Sequence, residues 1–367
     1  MRERVVVAMS GGVDSSVAAA VLLEQGYDVV GITMKLHEDG ADVPDKPCCS
    51  LDATSDARRV CEQLGVPHYV LNLVDVFTRD VFDDFVSEYA AGRTPIPCVR
   101  CNTFTKFRDL VVKADAIDAR WIATGHYGRL MDASHGRVLL RGRDPLKDQS
   151  YFLWGMPKPV LSRLLLPVGD WTKEETRAAA RRFGLRTANK PESMDICFVP
   201  HGDHIEVLRE HLPADAAALS PGHIVTEDGR VIGEHPGFAR FTIGQRKGLP
   251  GGVSEPWFVT EIRAETREVV VGPRSALSRN TVGAHQVNWL APVPEVGAIV
   301  QVQVRHRGAC VPSTVMRADA HGIDVVLSAS VQGVAPGQSL VLYDGDIVLG
   351  GGVITRAGRG ALPVLAA

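Results

Sequence analysis

The sequence predicts an α/β protein in which a doubly wound parallel sheet, residues 1–211, is followed by two small all-β domains, 212–276 and 277–367. Three observations carry this expectation. Short β-branched runs alternate with helical stretches through the first half of the chain, the pattern of a parallel sheet covered on both faces. A turn of small residues joins the first such run directly to an Ala-rich apolar stretch. Beyond about His211, helical periodicity gives way to Gly, Pro and alternating Val/Ile segments. The 367 residues suffice for two or three domains with cores of their own.

Taken in order, residues 5–8 read as a buried strand and 17–23 as a buried helix. Residues 28–34 form a second strand, 51–64 a helix stopped by Gly65 and Pro67, 68–73 a third strand and 74–90 a third helix. Residues 92–102 are a proline-stiffened loop carrying Cys98 and Cys101. The pattern resumes as a helix over 104–116 and a strand over 120–124, with Gly125-His126-Tyr127 at its carboxyl end. Residues 130–140 are a small hairpin, 147–153 open a helix, and 171–183 are an amphipathic helix begun by Thr172 and ended by Gly184. Residues 190–199 are a loop leading into a short extended piece that presents Cys197. In the β half, Glu227-Asp228-Gly229-Arg230 is a hairpin turn and 257–262 pairs with 268–271. A break near 273–279 precedes strands at 298–307, 322–327, 339–343 and 347–354, so two β units fit better than one barrel. There is no internal repeat.

The turn after the first strand carries the first chemistry. Ser10 to Ser16 place two glycines and three hydroxyls at a helix N-terminus, where unpaired N–H groups and the positive dipole end bind anions. The segment lacks the lysine of a Walker A loop, which excludes an ordinary P-loop kinase or GTPase site. Asp14 would repel a phosphate unless Mg²⁺ stood between them. Ligands of such sheets sit at the carboxyl ends of strands, which puts Met34 on the same rim, as an adenine contact or as a core methionine. Ser10-Gly11-Gly12-Val13-Asp14-Ser15 resembles the S-G-G-x-D-S motif of the N-type ATP pyrophosphatases, or PP-loop superfamily, which cleave ATP between the α and β phosphates and place AMP on an oxygen.

Composition narrows the class further. A chain 45% hydrophobic and 23% charged, with no apolar run near membrane length and a start that runs straight into a strand, predicts a soluble cytoplasmic protein with no membrane partner. The net charge of −3 gives no overall pull toward nucleic acid, but basic residues cluster at Arg100-Lys106-Arg108, Arg141-Arg143-Lys147, Arg177-Arg181-Arg182-Arg186 and Arg305-Arg307. Seven cysteines in a chain of this kind argue for thiols, metal or catalysis in a reducing compartment. Cys98 and Cys101 have C-x-x-C spacing, which serves redox pairs, metal sites and plain buried thiols alike. Arg100 and a helix beginning near Phe104 would favour the thiolate. Cys61 and Cys310 read as structural, and Cys48 and Cys49 stay open.

Seven segments together resemble one family. They are the Ser10 motif, P-C-V-R-C-N-x-x-x-K-F from Pro97, T-G-H-Y from Thr124, K-D-Q-S-Y-F-L from Lys147, P-E-S-x-D-I-C-F from Pro191, F-T-I-G-Q-R-K-G-L from Phe241 and A-P-G-Q from Ala335. In this order, over nearly the whole chain, they resemble the tRNA-specific 2-thiouridylases. The resemblance implies ATP-dependent formation of 2-thiouridine at the wobble position of tRNA with relayed persulfide sulfur. It implies Cys101 as nucleophile, Cys197 as the persulfide carrier, and ATP contacts at Ala8, Met9, Ser10, Gly11, Gly12, Val13, Asp14, Ser15, Ser16, Met34 and Gly125. It puts Ile96, Pro97 and Cys98 in the segment that meets the target base. His126, Lys147, Asp148, Gln149, Arg305, His306 and Gln338 fall where the family meets tRNA. Two departures stand out. The family's frequent N-P-D reads Ile96-Pro97-Cys98, so a thiol replaces an acid, and its frequent R-Y reads Arg305-His306.

The implied chemistry needs ATP, Mg²⁺ with Asp14 as a ligand, tRNA, and a persulfide donor such as a cysteine desulfurase or a sulfur-relay protein. AMP on the C2 oxygen makes it a good leaving group, and the amides of Gly11 to Ser15 hold the phosphate charge. Cys101 then either releases sulfide from the Cys197 persulfide, closing a transient disulfide, or attacks C2 itself. A rival mechanism has Cys98, Cys101 and Cys197 hold three irons of a [4Fe–4S] cluster. Competing functions are another adenylating enzyme with a carboxylate substrate, such as argininosuccinate synthase or an amidotransferase-coupled synthetase, and an RNA-binding protein without catalysis.

Overall fold

The computed structural model describes residues 2–37, 51–191, 196–199, 202–251 and 255–359. Cys48 and Cys49, and residues 192–195 of the Pro191 motif, lie outside them. The chain forms two compact units. One comprises Met1–Val81, Cys98–Gly202 and Asp346–Val348; the other comprises Phe82–Pro97, Asp203–Gly345 and Leu349–Ala367.

In the first unit, strand β1 (Arg4–Ala8) leads through the small-residue turn into helix α1 (Val13–Glu24). Strand β2 (Asp28–Lys35), helix α2 (Leu51–Leu64), β3 (His68–Asn72) and β4 (Trp121–Ala123) follow. The hairpin β5 (Gly128–Ala133) and β6 (Gly136–Arg141) precedes the short β7 (Leu164–Leu165). The parallel sheet runs β3-β2-β1-β4-β7. Val5, Val6 and Val7 are fully buried, as a central parallel strand covered on both faces requires. α1 is buried almost all round, from Val13 through Leu22, which explains its uniformly apolar and small-residue sequence. β1 pairs with β2 on one side and β4 on the other, so the chain direction of winding reverses there. That switch point opens a crevice at the carboxyl ends of β1 and β4.

Cys61 is a structural thiol. Its Sγ takes the space above Gly31, where a Cβ would come within 2.5 Å of the sulfur. Burial, helped by Glu62, pushes the thiol up to about 12, which makes it inert.

Three expectations are corrected here. Residues 74–90 are helical but not uniform: α-helical turns at Val74–Phe77 and Asp83–Ala90 flank a wide π-helical stretch at Thr78–Phe82. Residues 97–102 are not a loop. Pro97–Arg100 is a helical turn, Cys101–Lys106 is π-helical, and Phe107–Ala116 continues as an α-helix. Pro97 stands where proline suits the first turn of a helix, and the Thr103 hydroxyl donates back to the Val99 carbonyl at 2.8 Å. Residues 147–153 yield only a 3₁₀ turn, Ser150–Phe152. Asp148 takes the backbone N–H of Gly142 and Ser150, the Ser150 hydroxyl and an Arg141 guanidinium N–H, fixing a turn in place of a longer helix.

The second unit contains a four-stranded sheet of β8 (Gly222–Thr226), β9 (Val231–His235), β10 (Phe258–Arg263) and β11 (Glu268–Gly272), in the order β10-β11-β8-β9. Six further strands are β12 (Ser278–Trp289), β13 (Ile299–Gln303), β14 (Val311–Ala318), β15 (Ile323–Gln332), β16 (Ser339–Asp344) and β17 (Ile347–Gly358), the first two residues of β17 being counted with the first unit. β12 pairs with both β15 and β17, which closes these six into a barrel and removes the sheet edges. A helix at His204–His211, not anticipated from the sequence, packs on the Asp83–Ala90 region: Tyr89 stacks on His204 at 4.5 Å.

Candidate active site

The cradle is built by backbone geometry that only glycine permits. Gly11 has φ +68°, and a Cβ there would lie 2.2 Å from the Ala53 carbonyl oxygen of α2. Gly12 caps α1 in extended conformation, and its carbonyl accepts from the hydroxyls of Ser15 (3.2 Å) and Ser16 (2.8 Å). The Ser15 hydroxyl also accepts the Ser10 N–H at 3.2 Å and pairs with the Ser10 hydroxyl, so the loop is closed on itself. Across the crevice, Gly125 follows β4 so closely that a Cβ would stand 2.6 Å from the Asp14 carbonyl carbon and the Ser15 nitrogen. Met9 and Met34 are buried at the ends of β1 and β2, Met34 at 8% exposure.

Asp14 is held from behind the cradle. Lys173, the first residue of the Lys173–Arg182 helix, donates to both its oxygens at 2.7 and 2.8 Å, and the Tyr127 hydroxyl donates to Oδ1 at 2.8 Å. Thr172 caps that helix in a reciprocal box with Glu175, as the sequence anticipates, which fixes where Lys173 starts. Lys190 makes a second cationic contact: its ammonium donates to the Asp56 carboxylate at 2.6 Å and to the Gly11 carbonyl at 3.1 Å. Sequence reasoning missed both lysines. The missing Walker lysine was the available signal, because a polyphosphate site needs cations from somewhere.

Asp14 fits Mg²⁺ only as one carboxylate on an ion brought in by phosphates, the usual mode for that metal. Among the described residues no group of three or more His, Cys, Asp or Glu is gathered for a metal. Cys98 is exposed, Cys101 is 5% exposed and Cys197 lies between. Two supports expected for Cys101 are arranged otherwise. It sits inside a helical run that starts at Pro97, and Arg100 donates to the Asp80 carbonyl at 2.9 Å while lying over the Phe104 ring. Beside Cys101, Asn102 donates to the Phe152 carbonyl at 3.0 Å, and its own buried Oδ1 has no partner among the described residues.

Several residues expected at RNA have protein partners. Asp148 takes the four donors described above, and Gln149 exchanges hydrogen bonds with the Tyr127 backbone at 2.9 and 2.8 Å. In the second unit, Gln338 donates to the Thr94 carbonyl at 2.9 Å, Thr94 donates to the Pro336 carbonyl, and Gly337 (φ +91°) leaves no room for a Cβ against Thr94. The A-P-G-Q segment thus clamps the backbone just ahead of Ile96 and Pro97. Arg305 is exposed, with one long bond to the Gln332 carbonyl, and His306 is exposed beside it. Lys147 is half-buried.

His126 shares a hydrogen bond of 2.8 Å between its Nδ1 and the Thr124 hydroxyl. Burial, with the Lys106 ammonium, pushes its pKa down to about 3, so the ring is neutral in the working range. The folded value lies below the ordinary 6.5, so the unfolded chain takes the proton first. The stability His126 contributes is complete above about pH 6.5 and is lost as pH falls toward 3. NMR of the imidazole should show no titration between pH 8 and 5; a midpoint near 6.5 contradicts the reading. Gly125→Ala should lower stability by about 1–3 kcal/mol through forced displacement of the cradle. Calorimetric melting together with ATP titration checks this, and a variant with unchanged melting and ATP affinity contradicts it.

Three family models match the chain: the tRNA methyl transferase HUP domain over residues 3–201, the tRNA methyl transferase PRC-barrel domain over 206–273 and the Aminomethyltransferase beta-barrel domain over 279–354. Among curated relatives, the tRNA-specific 2-thiouridylase MnmA of Rhodospirillum centenum is 48% identical over 363 residues, covering 96% of this chain and 92% of that protein. The protein of the same name from Parvibaculum lavamentivorans is 50% identical over 366 residues, covering 96% and 91%. That from Geotalea uraniireducens is 46% identical over 364 residues, covering 97% and 96%. With relatives of 46–50% identity matched over nearly its whole length, the chain belongs to the tRNA-specific 2-thiouridylase family.

Proposed function

We propose that this protein is an ATP-dependent tRNA-uridine 2-sulfurtransferase acting on the wobble uridine. The observation that carries the proposal is that the cradle, Gly125, Cys101 and Cys197 all belong to one compact unit built on the parallel sheet. The uracil C2 oxygen attacks the α phosphate of ATP, giving the adenylated base and pyrophosphate. The amides of Gly11 to Ser15 and the N-terminus of α1 bind the phosphates, with Lys173 and Lys190 close behind. Mg²⁺, held by Asp14 and the phosphates, would neutralise charge on the departing pyrophosphate.

The sulfur comes as a persulfide on Cys197. The Cys101 thiolate attacks the inner sulfur, a Cys101–Cys197 disulfide forms and hydrosulfide leaves. Hydrosulfide adds to C2, AMP departs, and loss of the sulfur-bound proton leaves the thiocarbonyl. An external thiol reduces the disulfide and resets the enzyme. Neutral His126 and the base-facing segment Ile96-Pro97-Cys98 contact the nucleobase in this reading, with Cys98 standing where the family's aspartate would act. The base must be unstacked to be reached, and the β domains, 212–276 and 277–367, grip the anticodon arm through Arg305, His306 and their neighbours. A cysteine desulfurase or a relay protein charges Cys197. The reaction belongs to the cytoplasm, where reduced thiols and tRNA coexist. No helix among the described residues is long and apolar enough to cross a membrane.

Mass spectrometry of tRNA after incubation with ATP, Mg²⁺ and a persulfide donor tests the proposal. Cys101→Ala and Cys197→Ala should each lower thiolation by about 10³-fold or more. Cys197→Ala should still form AMP-linked tRNA. Without reductant, a single turnover should leave a peptide pair joined through Cys101 and Cys197; full thiolation by either variant refutes the proposal.

A further inference from the structure

Cys98 and Cys101 lie one helical turn apart and at opposite depths. Arg100 is helical (φ −59°, ψ −42°), so the Pro97–Arg100 turn runs without a break into the stretch that begins at Cys101. Residues three apart in a helix share a face, with Cα atoms about 5 Å apart, inside the span of about 4.4–6.8 Å that a disulfide bridges. The two residues between them are committed elsewhere. Val99 is buried against Gly155, and its carbonyl accepts from the Thr103 hydroxyl at 2.8 Å. Arg100 reaches the Asp80 carbonyl at 2.9 Å, and Arg108, beyond the π-helical stretch, donates to the Asp80 carboxylate at 3.1 Å. Arg79 grips the same carboxylate at 2.7 and 3.0 Å. Asp80 thus staples both ends of the wide turn, which fixes the depth of each sulfur: Cys98 at the surface, Cys101 buried.

A disulfide between Cys101 and Cys197 joins a buried sulfur to a half-buried one, whereas exchange needs an attacking thiolate to reach a sulfur from outside. A reducing protein meets Cys98 first. We propose that Cys98 is the resolving thiol of the cycle: it attacks Cys101 to close a Cys98–Cys101 disulfide and presents that disulfide to a dithiol reductant at the surface. In the first exchange the Cys98 thiolate bonds to Cys101 Sγ, the Cys101–Cys197 bond breaks, and the electron pair leaves on Cys197, which is then available for the next persulfide sulfur. In the second, a thiolate of the dithiol bonds to Cys98 Sγ and the Cys101 thiolate departs. The reductant's other thiol then closes on its partner and releases Cys98. Two electrons and two protons pass from the dithiol to the enzyme, and no oxidant enters. A separation of one turn gives Cys98 a high effective concentration toward Cys101. The resulting disulfide is exposed at one sulfur, the labile kind that reductants open. The inference rests on the reading of Cys101 and Cys197 as the pair that releases the sulfur, and adds the route by which that pair is reset.

The test starts from the full-length protein carrying the Cys101–Cys197 disulfide, made by one turnover without reductant or by diamide, and uses thioredoxin as the dithiol. Quenching with N-ethylmaleimide and peptide mass spectrometry follow each linkage with time. In the wild type a Cys98–Cys101 linkage should appear as Cys197 becomes alkylatable, and then decay. Cys98→Ser should slow the loss of the Cys101–Cys197 disulfide by about tenfold or more. Cys98→Asp, which supplies a carboxylate and no sulfur, should be equally slow, and this separates disulfide resolution from an acid role at the same position. A thioredoxin lacking its second cysteine should be trapped on Cys98 of the wild-type protein, a reading that needs no substitution in the enzyme. Equal reduction rates in wild type and Cys98→Ser, or trapping on Cys101 or Cys197 in place of Cys98, overturns the inference. Failure of the wild type to form the Cys101–Cys197 disulfide by both routes removes instead the pairing on which the relay rests, and the relay with it.

Discussion

The carboxyl ends of β1 and β4 approach so closely that no side-chain carbon fits between Gly125 and the backbone of Asp14 and Ser15. The rest of the catalytic unit depends on that approach. It brings Tyr127, two residues further on, under Asp14, where its hydroxyl links that carboxylate to Thr176 on the Lys173–Arg182 helix. The same contact leaves α1 with its N-terminal amides facing the crevice at the switch point of the sheet. The loop carries no lysine of its own, and ammonium groups from later in the chain close in behind it.

The four described thiols of the first unit are distinguished by surroundings. Cys61 is sealed against Gly31 and is raised far above the range in which a thiolate forms. Cys101 is nearly buried on a π-helical stretch, Cys98 is exposed one turn before it, and Cys197 is half-buried. π-Helical turns are uncommon and concentrate at functional sites.

Much of the architecture was legible because patterning and caps are local. The valine run of β1, the apolar α1, the bounds of α2 and the Thr172 cap all follow from short-range rules. What was misread has physical causes. Pro95 and Pro97 suggest a loop by composition, yet Pro97 opens a helix, because proline is as good a first residue of a helix as it is a breaker within one. β12 was missed because its sequence, SRNTVGAHQVNW, mixes polar residues and glycine, and it is held as a strand by two neighbours remote in sequence. At the site, the cradle and the thiols were legible as motifs. The contacts of Lys173, Lys190, Gln149 and Gln338 were not, since each joins residues that only the fold brings together.

The central claim is that the nucleotide activates an oxygen of the base for displacement by sulfur. It is tested most directly with tRNA carrying ¹⁸O at C2 of the wobble uridine, in a single turnover with ATP, Mg²⁺ and the persulfide-charged enzyme. The account predicts that the ¹⁸O is recovered in the phosphate of AMP, in step with the 2-thiouridine formed. AMP free of the label, with 2-thiouridine nevertheless formed, would contradict it.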